Sequence, residues 1–290
     1  MNSWILCSAI FGMLAVSCTS AVFWDDLRIT SGTDLKTSFL RLPRTIQEAA
    51  VANWVSKDTL EDCDSGAFKG IRYEDPDDDS VALLYDRNGI ISGIQAQIPH
   101  KQIIKPGQTF RFENVPMFQN ITLRGEEFFV LTAYFVNPFS ICSVGRSESD
   151  LVNNGTGNGL WFQNGPSANF LIEVSKDRAT GWSKGWSKNN CWRAMGNHNF
   201  WQTEKYEEHN CNEIRPTFIL FDQDDDQMLG FGFTIPGTVN LPRYEAPPNA
   251  VIGAIINPTP PCLTAMNDRV GAATLHIYFV DRPWTIACKE

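Results

Sequence analysis

Short apolar runs and period-two alternation dominate the chain. Runs at 68–73, 81–85, 90–98, 109–112, 128–136, 170–174, 217–221, 228–235, 251–256 and 274–280 have strand length and are rich in β-branched and aromatic residues, so each is predicted as a strand. In the last of them Leu275, Ile277 and Phe279 share one face and His276 and Tyr278 the other. Pro99, Pro106, Pro138, Pro236 and Pro242 fall in the gaps, where a missing N–H breaks no ladder. One helix is legible: Thr45 is its cap, Glu48 follows three residues on as in a capping box, and Ile46, Ala50 and Trp54 recur at helical spacing. It is predicted to end near Lys57, with Trp54 as a core anchor.

This pattern predicts a mainly β fold, an antiparallel β-sandwich or two packed β-sheet units with one or two peripheral helices. A closed barrel is the alternative, because periodicity sets the faces of strands but not their closure. Residues 81–99 and 217–236 share one grammar: an apolar strand, an aromatic–Asp pair, a polar turn, a second strand containing Gly, and a terminal Ile-Pro. Both read as β-hairpins, with Asn88-Gly89 as a strong turn signal. Either they record a duplicated pair of subdomains or they are two hairpins obeying the same chemistry. No Gly-, Ser- or Pro-rich linker divides the chain, which favours one module over 22–290.

The first 21 residues carry no charged side chain and end in the small residues Thr19, Ser20 and Ala21, the pattern of a secretory signal peptide. The apolar run is shorter than the ~20 residues a membrane-spanning helix needs; lipidation at Cys18 is a weaker alternative. Beyond the leader remain Cys63, Cys142, Cys191, Cys211, Cys262 and Cys288, an even set expected to form disulfides in a secreted protein. Sequons at Asn120 and Asn154 are expected to be glycosylated surface positions. A net charge of −9 with scattered cations argues against a nucleic-acid partner.

Candidate chemistry concentrates in 179–202, which holds Trp182, Trp186, Trp192 and Trp201 in a stretch otherwise written like a loop. Trp182, Trp186 and Trp201 are expected to offer ring faces to a small amphipathic or carbohydrate-like ligand, with Lys184, Asn190 and Arg193 orienting its polar groups. Trp192, beside Cys191, reads as structural. His198 and His209 flank Glu204, a set suited to acid–base chemistry or a transition metal, although no HExxH motif is present. Asp222, Asp224 and Asp226 alternate as calcium ligands could, but lack the glycine and glutamate of an EF-hand; solvated turn residues are the simpler reading. Ser183 stands in a GxSxG string with polar residues before it instead of a strand, so it lacks the setting of a nucleophile elbow.

The expectation is therefore a secreted, extracellular protein that binds a small molecule or glycan, with no membrane span. No cofactor is fixed by the residues; calcium and a transition metal are the candidates. The alternatives are an extracellular enzyme, hydrolytic or metal-dependent, working through His198 and His209 or through Ser183, and a structural or protein-interaction module.

Overall fold

A computed structural model describes residues 23–289 apart from 31, 33, 35, 36, 65, 209, 210 and 225. The leader expected over residues 1–21 lies outside the described residues, as does His209. Along the chain run β1 (Arg28–Thr30), β2 (Phe39–Arg41), α1 (Ile46–Val51), β3 (Val55–Ser56), β4 (Ile71–Asp75), β5 (Asp78–Tyr85), β6 (Ile91–Pro99), α2 (His100–Ile103), β7 (Gln119–Leu123), β8 (Glu126–Tyr134), α3 (Pro138–Ile141), α4 (Glu148–Asn154), β9 (Leu160–Gln163), β10 (Leu171–Val174), α5 (Arg178–Ser183), β11 (Trp186–Trp192), β12 (Gly196–Trp201), β13 (Thr217–Phe221), β14 (Met228–Pro236), α6 (Asn249–Ile255), α7 (Pro261–Val270) and β15 (Ala272–Tyr278).

Two antiparallel sheets result. One has the order β11-β12-β13-β14-β15-β1-β2 and the other β3-β4-β5-β6-β8-β9-β10, with β7 added beside β8; neither closes into a barrel. Their facing surfaces form the main core. Phe135 and Phe162 from one sheet meet Phe231 and Phe279 from the other at ring separations of 5.2–6.0 Å. Each fully buried phenylalanine of this kind contributes about 1.5–3 kcal/mol. Leu275 and Ile277 lie in register with Phe233 and Phe231 and share the inner face, which leaves His276 and Tyr278 on the outer one, as the alternation of β15 predicts.

The two hairpins of shared grammar take the third and fourth places in their respective sheets. Their ladders shift at equivalent points, between Leu84 and Tyr85 and between Leu220 and Phe221. Across three strands the same trio then recurs: Leu84, Gly93 and Tyr134 in one sheet, Leu220, Gly230 and Tyr278 in the other.

Three disulfides staple the periphery. Cys63–Cys142 holds the turn at Leu60–Asp64 beside α3, Cys191–Cys288 ties the C-terminal segment to β11, and Cys211–Cys262 anchors the start of α7.

Three local expectations need correction. The first helix is capped as predicted, with Thr45 Oγ1 accepting from the Glu48 N–H at 3.1 Å and Glu48 Oε2 accepting from the Arg44 N–H at 2.6 Å. It stops at Val51, not near Lys57: Asn53 turns left-handed at φ 61° and the Trp54 N–H returns to the Ala49 carbonyl, placing Trp54 in the core. Residues 109–112 form no strand, because Gln108 Oε1 accepts from the N–H groups of Thr109 and Phe110, and the Arg111 N–H goes to the Asn212 carbonyl. The run at 251–256 falls mostly within α6, entered through Pro248; six apolar residues have no decisive period, and packing on a sheet face selected the helix.

Candidate functional site

The tryptophan-rich stretch is a short helix running into a hairpin, not a loop. Asp177 caps α5 by accepting from the Thr180 N–H at 2.7 Å, and the helix yields at Gly185, whose φ of +103° suits glycine. Strands β11 and β12 then pair Trp186 with Trp201. Trp186 is 3% exposed and belongs to the core, edge-on to Trp201 at 5.4 Å and near Phe162 at 6.5 Å. Trp182 donates from Nε1 to Asn199 Oδ1 at 2.8 Å, and Arg178 and Lys188 stand 5.2 and 5.4 Å from its ring centroid. The Arg215 guanidinium lies 3.9 Å from the Trp201 ring centroid. These rings are therefore occupied by local contacts.

The concave feature of this hairpin lies on the outer face of its sheet. A cavity of about 570 Å³ opens between that face and α6, a size within the roughly 300–1,000 Å³ range of small-molecule sites. Its floor is made by His198 and Phe200 of β12, Phe218 of β13, Thr234 of β14, and Thr274 and His276 of β15. Val251, Ile252 and Ile255 of α6 roof it with Leu263 of α7, while Thr30 and Phe39 close one side and Trp192 and Met195 the other. Trp192, expected to be structural, is thus the tryptophan that lines the cavity. Of the six residues expected to contact a ligand, Arg193 lines it, exposed at the rim; Trp182, Trp186, Trp201, Lys184 and Asn190 do not. Asn190 instead holds the roof, donating from Nδ2 to the Ala254 carbonyl at 2.8 Å.

Glycines shape the floor. A Cβ at Gly232 would fall 2.2 Å from Phe218 Cζ and 2.3 Å from the Leu275 carbonyl oxygen, so the bare backbone lets the Phe218 ring lie across β14 toward His276, centroids 4.9 Å apart. His198 lies 5.8 Å from His276, centroid to centroid. His276 Nδ1 is 2.7 Å from Glu245 Oε2, but off the direction of a ring N–H. Glu245 is itself fixed by a two-way backbone bridge to Thr274, at 2.9 and 2.8 Å.

His198 is 1% exposed, and neither ring nitrogen has a partner at hydrogen-bonding geometry, although the carbonyls of Gly196 and Asn190 stand near enough to favour its protonated form weakly. Burial, reinforced by the neighbouring His276, outweighs them and holds its pKa down to about 3. It is a neutral imidazole at ordinary pH. Thr30 and Thr234 also belong to the lining, but their hydroxyl oxygens are buried without a hydrogen-bond partner and have almost no accessible surface.

The remaining candidates lie apart from this cavity. Glu204 accepts from the Ser187 hydroxyl at 2.6 Å and does not line it; the carboxylate near the histidines is Glu245, which no motif marked. The Ser183 hydroxyl turns back to the Thr180 carbonyl at 2.8 Å on α5, with no strand leading directly into it. Asp222 Oδ1 accepts from the Asp224 N–H at 2.7 Å, Asp224 pairs with Lys289 at 2.6 Å, and Asp226 pairs with Arg178. Among the described residues no three His, Cys, Asp or Glu side chains converge as metal ligands, and no helix is long and apolar enough to cross a membrane. Asn120 on β7 and Asn154 at the end of α4 are both exposed.

The signal that could have led to the cavity was the outward pair His276 and Tyr278 on a strand too apolar to be left uncovered. No family model, curated protein or solved structure matches the chain.

Proposed function

We propose that the protein is a secreted binding protein that takes a small amphipathic molecule into the cavity between the outer sheet face and α6. The observation that carries this reading is the cavity itself: walls of Val, Ile, Leu, Phe and Met over a floor holding a few buried polar groups without partners. So few hydrogen-bonding groups favour an amphipathic ligand over a sugar, whose many hydroxyls would go unmatched. Three disulfides and two exposed sequon asparagines support the extracellular setting.

The test uses the neutral fluorescent probe N-phenyl-1-naphthylamine. Saturable binding at one site is expected, weakened roughly tenfold by Trp192→Ala, which removes a lining ring, and unchanged by Trp182→Ala, whose ring is elsewhere. Absence of saturable binding, or the reverse sensitivity, refutes it. The enzyme alternative draws on one observation, the Glu245–His276 contact beside the cavity. Hydrolysis of an aryl ester that survives His276→Gln unchanged would remove that support.

A further inference from the structure

Resting on the reading of this cavity as a binding site, we infer that its ligand is a cationic amphiphile, an amine protonated at neutral pH, whose head pairs with the Glu245 carboxylate while its apolar body lies under α6. Glu245 is held at the edge of the floor. Thr274 pairs with Thr234 of β14 on one side and with Glu245 on the other, so Glu245 sits on the β1 side of β15. Two backbone hydrogen bonds, at 2.9 and 2.8 Å, fix it there before any ligand arrives. Its side chain is 18% exposed, and among the described residues no N–H or O–H donates to either carboxylate oxygen. His276 Nδ1 is near, at 2.7 Å, but is itself without a hydrogen bond. The Glu245 oxygens differ in this from the hydroxyls of Thr30 and Thr234: they lack a donor and yet keep accessible surface. A carboxylate in the lining of an apolar cavity thus has its hydrogen bonds left to solvent or to a ligand.

The charges around the cavity are arranged to match. Asp34, also in the lining, lies between β1 and β2, on the side that Thr30 and Phe39 close. It is exposed, and its Oδ1 accepts from the Thr37 N–H and hydroxyl at 2.9 and 3.0 Å. The only fixed cation in the described lining, Arg193, is exposed beside Trp192 on the opposite side. An ammonium on the β1 side therefore finds carboxylates and no competing cation. A carboxylate head would be stripped of water near Glu245, with its one counter-charge at the far rim. An alcohol gives Glu245 a single neutral donor, while its apolar body displaces water from around the carboxylate. An ammonium supplies up to three N–H donors and the opposite charge, the stronger kind of contact. The net charge of −9 attracts such a ligand from a distance. Val251, Ile252, Ile255 and Leu263 above, with Phe200 and Phe218 below, supply the apolar surface for its chain or rings.

The experiment is competition of decylamine, decanol and decanoate against bound N-phenyl-1-naphthylamine on the full chain near neutral pH. Decylamine is expected to displace the probe roughly tenfold more tightly than decanol, and more tightly still than decanoate, since one charge-assisted hydrogen bond is worth about that factor. Glu245→Gln keeps the shape and removes the charge, and should bring decylamine to within about threefold of decanol while the probe still binds. Glu173→Gln makes the same change of net charge at an exposed position on β10 of the other sheet, and should leave the order intact. If the probe binds but decanol or decanoate competes as well as the amine on wild type, the cationic head is refuted and the cavity reading stands; this arm needs no variant. An amine preference that Glu245→Gln leaves intact, or that Glu173→Gln removes equally, refutes the placement of the head at Glu245. If neither the probe nor any of the three binds, the cavity reading fails and this inference with it.

Discussion

Acid stability offers a quantitative test, because burial holds the His198 imidazole far below its ordinary range. The His198 imidazole is packed against Phe218 at 5.5 Å and His276 at 5.8 Å, and burial holds its pKa down to about 3. In the unfolded chain it returns to about 6.5. Between those values the unfolded state binds a proton that the folded state refuses, so stability rises with pH through the window and is lost on acidification. At about pH 4.5 the two pH units below the unfolded value amount to about 3 kcal/mol. The perturbation is His198→Leu, which removes the titrating group and keeps an apolar filling. Urea unfolding of both proteins near pH 7 and near pH 4.5 gives two stability differences, and subtracting them cancels the carboxylates common to both. The variant should gain about 3 kcal/mol on wild type over that interval. Repeating the comparison in a His276→Gln background separates the contribution of the neighbouring imidazole, which should be the smaller of the two. A gap that changes by less than about 0.5 kcal/mol would show that the folded protein admits a proton at His198, and would refute the account of its burial.

Two further substitutions test the packing. Gly232→Ala places a methyl group 2.2 Å from Phe218 Cζ and 2.3 Å from the Leu275 carbonyl oxygen, so it should cost about 1–3 kcal/mol in urea unfolding and weaken probe binding as Phe218 moves; an unaffected variant would mean the floor is looser than described. Trp186→Ala should cost about 3–5 kcal/mol in thermal or urea unfolding because its ring fills the core beside Phe162 and Trp201, whereas a loss below about 1 kcal/mol would place that ring outside the core.

Much of the fold was legible in local pattern. The strand at Thr217–Phe221 falls where its apolar run lies, and Met228–Pro236 and Ala272–Tyr278 differ from their runs by a residue or two, because alternating or continuous β-branched and aromatic residues leave the backbone little choice once one face is buried. The cap at Thr45 was legible for the same reason: Thr45 and Glu48 act on backbone groups within a turn of themselves. The site was hidden where contacts are long-range. Glu245 reaches His276 from a segment with no periodicity, and His198 meets His276 only because β12 and β15 belong to one sheet, with β13 and β14 between them. The tryptophans could not be sorted from sequence because a ring in a polar stretch has the same appearance whether it lines a cavity, as Trp192 does, or fills the core, as Trp186 does.

The amino-acid sequence by itself determined the class of structure: strand faces, the two central hairpins and an even set of cysteines, all consequences of side-chain shape and spacing over a few residues. Tertiary structure alone decided which cysteines pair, that neither sheet closes, and that the run at 251–256 becomes a roof instead of another strand. The physical reason is that burial is a property of assembled surfaces. An imidazole is held neutral by burial only when strands distant in sequence enclose it.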